Sequence, residues 1–241
     1  MPVNKHTLRL LYLDNFNQSV DYFGKVLTKR LLPAFDNLQE ESDNVSAVAQ
    51  QRIESLVDPE WADPASIAET AYHEGVDHYI MASAIKQGMI NMFAVGLCHM
   101  FEQQCLKFHR QELLLPQEEN DSNLLKLSSA KDRLLKNYKI DVHKFSSFSK
   151  IKELKLLANC VKHGDGASCQ KLKRIKETMF VYPAFRDENE NFSLSKSSQV
   201  MQPMAGQDLY ITIEEFEEYL ESVKEFWDEL GKAFEEADYI P

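Results

Sequence analysis

Apolar residues along most of this 241-residue chain recur at the spacing of one face of an α-helix. The clearest case lies near the C-terminus, where Thr212 and Glu215 have the spacing of a helix-capping box. The apolar residues that follow at helical spacing are Phe216, Leu220, Val223, Trp227, Leu230 and Phe234. The pattern predicts a C-terminal helix that begins after Thr212 and docks this stripe on a core.

The remaining apolar segments predict further helices joined by polar connectors. Their approximate ranges are 17–56, 67–115, 123–138, 151–162 and 169–177. Pro33 should divide the first, Gly75 should break the second, and Ser168 should cap the last. Between Met81 and Phe108 apolar residues occupy nearly the whole helix circumference, which predicts a central, buried helix.

These elements predict an all-α helical bundle with extra N-terminal helices. Glycine and proline are scarce, with eight residues each, which suits long helices better than strands and turns. Residues 1–64 are expected to form a helical segment that packs on a bundle of residues 65–241. The polar stretch 183–206 predicts a long loop before the last helix.

The charge is uneven along the chain. The net charge is −11. Residues 144–176 nevertheless carry nine basic and two acidic side chains, whereas residues 187–241 carry three basic and fifteen acidic side chains. Overall acidity argues against a general nucleic-acid coat, whereas the basic segment permits one short contact with an anionic substrate. The alternative is that the two segments face each other or stay solvated.

The N-terminal apolar run is short and broken by Arg9 and Asp14, unlike a signal peptide. The longest uncharged run, 87–101, is too short to cross a bilayer. The four cysteines form no CxxC pair. We therefore expect a reduced, cytoplasmic protein away from membranes.

Candidate chemistry lies in the segment LLANCVKHGDG, which predicts a helix that stops at Gly164. Lys155, Asn159, Lys162 and His163 share one face of this helix. An imidazole exchanges protons near neutral pH, a lysine stabilises developing negative charge, and an amide orients a substrate. Alternatively, Lys162 and His163 only complement the helix dipole, and Asn159 satisfies a backbone group.

A second polar interruption, His99 and Glu102, lies in the long apolar helix. A buried carboxylate needs a cation, which Lys155, Lys162 or His163 could supply in one shared pocket. The same residues could instead form a buried network that fixes helix register. A rival stripe of metal-competent side chains consists of Cys98, Glu102, Cys105 and His109, although ligands on one helix span too far for all four to share one ion.

The segments LLANCVKHGDGAS, GLCHMFEQQ and LYITIEEFEEYLESVKEFW resemble HEPN-domain proteins (higher eukaryote and prokaryote nucleotide-binding) over roughly residues 69–234. The resemblance implies a helical bundle and a homodimer with its site at the interface. Many members are metal-independent ribonucleases or toxins in defence systems. The family motif is RxxxxH near the end of a helix. His163 matches its histidine and Asn159 the polar residue after the arginine, but Ala158 occupies the arginine position.

The resemblance implies that His163 is the general acid or base, Lys162 stabilises the phosphorane, Asn159 orients the substrate, and Glu102 positions the cation or the imidazole. The residues expected to bind substrate are Lys155, His99 and Asp165. No metal or cofactor is expected. Two functions stay open: an endoribonuclease or toxin-type effector, as in phage defence, and a catalytically degenerate module that binds a nucleotide or, through its acidic last helix, a protein.

Overall fold

The computed structural model describes residues 8–58, 60–118, 120–186 and 199–237. These residues form helices and connecting segments with no β-strand among them, which confirms the all-α prediction. The α-helices are α1 (Asp14–Val26), α2 (Leu38–Leu56), α3 (Pro64–Phe108), α4 (Leu127–Tyr138), α5 (Phe148–His163), α6 (Ala167–Ile175) and α7 (Ile213–Glu236). The π-helical turns are Arg9–Leu13, Leu27–Leu31 and His109–Leu113. The 3₁₀ turns are Leu32–Phe35, Pro116–Glu118, Val142–Lys144, Glu177–Phe180, Pro183–Phe185 and Pro203–Ala205.

The last helix is formed as its sequence predicts. The Thr212 hydroxyl accepts from the Glu215 backbone N–H at 3.1 Å, and the Glu215 carboxylate accepts from the Thr212 N–H at 2.9 Å. All six residues of the predicted apolar stripe are buried. Trp227 lies at the centre of the core, where its indole N–H donates to the Gln104 side chain at 3.0 Å.

The N-terminal helices share this core. Phe16 on α1 packs against Trp227 with ring centroids 4.7 Å apart, so the apolar core is continuous across residue 64. Pro33 lies in a 3₁₀ turn between α1 and α2, which confirms that it divides the first helical zone. The division into 1–64 and 65–241 stays a prediction.

Two expected helix boundaries are wrong. α3 runs unbroken through Gly75, because the missing side chain at this residue is used for close packing of α2. The Ser42 hydroxyl donates to the Gly75 carbonyl at 2.8 Å, and a Cβ at Gly75 would lie 2.6 Å from the Ser42 carbonyl oxygen. Similarly, α6 begins at Ala167 without a side-chain cap, so Ser168 lies inside the helix.

The expectation that the long helix is buried all round is also wrong. Met81, Ile85 and Met92 on α3 are 59%, 63% and 49% exposed, because none of the described helices covers these positions. The segment 64–113 includes an 18-residue window of mean hydropathy 1.3 that is 28% buried. By length and composition it could span a membrane, so a location in the cytoplasm and away from membranes stays a prediction.

Two amide side chains on α3, the buried Asn91 and the half-buried Gln87, hold the segment that leads into α7. Asn91 donates to the Pro203 and Leu209 carbonyls at 2.6 and 2.9 Å, and Gln87 donates to the Ile211 carbonyl at 3.1 Å. We call Gln87 and Asn91 the amide clamp. Residues 187–198 of the expected loop lie outside the described residues, whereas residues 203–206 cross α3 in close contact.

Candidate functional site

α5 carries both a packed and a polar face, as its sequence predicts. Leu154, Leu157, Ala158 and Val161 are buried in the core. Asn159 is half-buried, and the other polar residues of the predicted stripe, Lys155, Lys162 and His163, are exposed. The helix ends at His163, and Gly164 follows as its C-cap, where a φ of 64° and a close approach to the Val200 carbonyl both favour glycine.

The two polar interruptions meet where α3 packs on α5. Lys155 donates to the Glu102 carboxylate at 2.6 Å, so Lys155 is the cation that the carboxylate was expected to require. The two side chains are 53% and 30% exposed. The meeting place is therefore a surface seam and not the buried pocket that the sequence suggested. We use "the seam" for Asn159, Lys162, His163, Lys155, Glu102 and His99.

His99 lies on α3, three residues before Glu102, and is the second imidazole among the predicted site residues. It is exposed, and its Nε2 lies 3.0 Å from the Gln103 amide nitrogen one turn further on. Lys162 also lies near α3, because its charge acts on the Cys98 thiol. Burial raises the pKa of this thiol to about 11, and the charges of Lys155 and Lys162 oppose that rise.

The polar side chains at the end of α5 remain available to a ligand. Within the described ranges, Asn159, Lys162 and His163 make no side-chain hydrogen bond or ion pair. Lys162 and His163 also lie in the last turn of α5, where a cation complements the helix dipole. A phosphate brought to this turn would meet one ammonium group and one imidazole without displacing a protein partner.

Asp165 is engaged in the fold. Its carboxylate accepts from the Val200 N–H at 3.0 Å, and its own N–H donates to the Val200 carbonyl at 3.0 Å. Lys173 approaches the same carboxylate at 3.8 Å. These contacts fasten the segment after residue 198 to the end of α5, and binding of substrate by Asp165 stays a prediction.

The rival stripe of metal-competent residues does not converge. His109 directs Nε2 to the Leu124 carbonyl at 2.9 Å, and Glu102 is paired with Lys155. Burial raises the pKa of the Cys105 thiol and so favours its protonated form. Across the described parts of the chain, no cluster of three or more His, Cys, Asp or Glu side chains is placed to hold a metal ion.

The basic segment and the acidic tail meet at one described ion pair, in which Lys150 on α5 contacts Glu218 on α7 at 2.7 Å. The Ser147 hydroxyl adds a 2.5 Å hydrogen bond to Glu229. The rest of the outward face of α7 stays acidic. Its exposed carboxylates include Glu214, Glu217, Glu221 and Glu225.

Sequence reasoning missed two groups of residues that the fold brings together. The amide clamp had a weak signal, since Gln87 and Asn91 lie one turn apart in an apolar helix. The second group consists of Lys131 and Lys152 around Phe148. It had no signal in the sequence, because its residues come from two helices. Comparison of the chain with protein-family models, curated proteins and solved structures finds no match in any of the three.

Proposed function

We propose that this chain is a HEPN-like, metal-independent endoribonuclease, a toxin-type effector of the kind used in phage defence, and that it acts at the seam. The observation that carries the proposal is the stripe of Asn159, Lys162 and His163 on α5, whose side chains make no described hydrogen bond or ion pair. The setting in defence rests on the resemblance of the sequence to HEPN proteins.

In the proposed reaction, the ribose 2′-hydroxyl attacks the adjacent phosphorus and the 5′-oxygen leaves. His163 accepts the hydroxyl proton and, as the imidazolium, gives it to the departing 5′-oxygen, while Lys162 stabilises the negative charge that builds on the phosphorane. Asn159 orients the phosphate, while His99 and Lys155 bind the RNA backbone. The products carry a 2′,3′-cyclic phosphate and a 5′-hydroxyl. Lysine offers a phosphate one point charge where arginine would grip it with two donors, so we expect slow cleavage.

The test is cleavage of labelled oligoribonucleotides in EDTA by the wild type, His163→Ala and Lys162→Ala. Loss of the general base should slow cleavage by about 10²- to 10⁴-fold. Exposed His73 and Lys171 provide matched controls, His73→Ala and Lys171→Ala, which should cleave at the wild-type rate. Cleavage by His163→Ala at the wild-type rate would contradict the proposal, as would products without the cyclic phosphate.

We further propose that the active form is a homodimer joined through the exposed stripe of Met81, Ile85 and Met92. These residues and His99 lie at i, i+4, i+11 and i+18, on one face of α3. A second copy seated there would border both seams. Light scattering should show a dimer that Ile85→Glu dissociates and that Val48→Glu, an equally exposed apolar position on α2, leaves intact. A monomeric wild type that binds liposomes through this face would overturn the assignment in favour of a membrane.

The second candidate is a catalytically degenerate HEPN-like module that binds a partner or senses a nucleotide. The observation that favours it is the acidic outward face of α7, where a shallow depression of about 540 Å³ is lined by Glu214, Glu217, Glu218 and Glu221 together with Lys150, which pairs with Glu218. Ala158 at the arginine position is consistent with it. The double variant Glu217→Lys/Glu221→Lys would then lose binding of a basic protein partner, whereas His163→Ala would retain it.

A further inference from the structure

An apolar cavity of about 80 Å³ lies between α3, α4, α5 and α7, behind the Glu102–Lys155 ion pair. Its walls are formed by buried apolar side chains: Phe101, Phe108, Leu134, Ile151, Leu154 and Trp227. The two thiols that face it, Cys98 and Cys105, have pKa values raised by burial and are uncharged at neutral pH. The interior therefore suits an apolar group.

The rim of the cavity has an excess of positive charge. Lys131 on α4 and Lys152 on α5 lie 5.4 and 5.7 Å from the centre of the Phe148 ring, and Lys155 and Glu102 complete the rim. In the described part of the chain neither Lys131 nor Lys152 has a carboxylate within ion-pair distance. A carboxylate at this rim would therefore meet ammonium groups that have no described carboxylate partner of their own.

We propose that this cavity binds a small amphiphilic anion, with a short aliphatic or single-ring body inside and a carboxylate at the Lys131–Lys152 rim. The volume of the cavity limits the size of the apolar body. One water needs about 10–15 Å³ of such space, so 80 Å³ holds several water-sized groups in a row and excludes a long fatty-acyl chain. The head group should be negatively charged, because Lys131, Lys152 and Lys155 at the rim outnumber Glu102. The proposal does not depend on ribonuclease activity.

The fluorescence of a tryptophan in the cavity wall can report binding. Of the two tryptophans, Trp227 is fully buried in the cavity wall and Trp61 is 84% exposed. In the Trp61→Phe background, titration with hexanoate should give a saturable change in Trp227 fluorescence at about millimolar concentrations, the range expected for so small a ligand. Hexan-1-ol and hexylamine share the chain and differ in the head group, and both should bind about tenfold more weakly than hexanoate.

Two variants locate the site. Lys131→Met should weaken hexanoate binding about three- to tenfold and leave hexan-1-ol binding unchanged, whereas Lys136→Met, an exposed lysine on the same helix, should change neither. Ala130→Leu fills the cavity and should abolish binding of both, with circular dichroism confirming that the variant is folded. Equal binding of hexanoate and hexylamine, hexanoate binding unaffected by Lys131→Met, or no saturable change in the folded protein would overturn the proposal.

Discussion

The amide clamp and the seam look alike in the sequence and differ in the fold. Each places polar side chains in an apolar helix, at 87 and 91 in one case and at 159, 162 and 163 in the other. In the structure, Asn91 is fully buried and donates to two backbone carbonyls. Lys162 and His163 are exposed and make no hydrogen bond or ion pair to a described side chain.

The two regions should therefore differ in role: the amide clamp stabilises the fold, and the seam is available for chemistry. A buried amide that satisfies backbone carbonyls cannot be removed without leaving those carbonyls unpaired, so the clamp should be intolerant of change. Exposed side chains at a helix end contribute little to stability, so the seam is free to serve a ligand.

Gly206→Ala should destabilise the protein by about 3 kcal/mol or more. Gly206 has a φ of 82°, and a Cβ there would lie 1.8 Å from the Ala84 carbonyl oxygen, so the segment held by the clamp could not stay in place. Chemical denaturation measures the loss. Gly166→Ala is the control, because no atom lies within 4 Å of its added Cβ, and a similar loss in both variants would contradict the packing argument.

Asn91→Leu should reduce the free energy of unfolding by about 2–3 kcal/mol. The change removes the donor to the Pro203 and Leu209 carbonyls while keeping the branching at Cγ and the number of side-chain heavy atoms. Asn159→Leu on the seam is the matched control and should cost under about 1 kcal/mol, since Asn159 is only half-buried. Equal losses in urea denaturation would show that the two regions do not differ as described.

Glu118→Gln should give a smaller, pH-dependent loss. Glu118 forms two hydrogen bonds with Arg133, at 2.7 and 2.8 Å, and this interaction lowers the pKa of the carboxyl to about 2. The pair therefore stabilises the fold above about pH 4.5, and that stability is lost as the pH falls toward 2. The difference in unfolding free energy between wild type and variant should shrink over this window. An unchanged difference, or the same behaviour in the control Glu217→Gln, would contradict it.

Glu102→Gln should have the smallest effect, within about 0.5 kcal/mol, because the Glu102–Lys155 pair is exposed to solvent. Thermal or urea denaturation measures it, with Lys155→Met as the partner variant. A loss as large as that of Asn91→Leu would instead mean that the pair fixes the register of α3 against α5, which is the structural role that the sequence left open.

The sequence was informative where the determinants are local. The capping box of Thr212 and Glu215, the period of the α7 stripe and the glycine stop after His163 each depend on residues within a few positions of one another. The structure confirms the capping box and the buried α7 stripe, and it ends α5 at His163, directly before Gly164. The four residues on the α5 side of the seam could also be found in this way, because i, i+3 and i+4 spacing decides which side chains share a helix face.

What the sequence by itself determined is therefore an all-α chain, the order of its helices and the two polar interruptions. The tertiary structure decided how those features are used. Gly75 admits α2 instead of breaking α3, one face of α3 stays open, and Asn91 is enclosed while His163 is exposed. Helix propensity and capping act over one or two turns, whereas burial depends on which other helices arrive at a face, and only the packed chain fixes that.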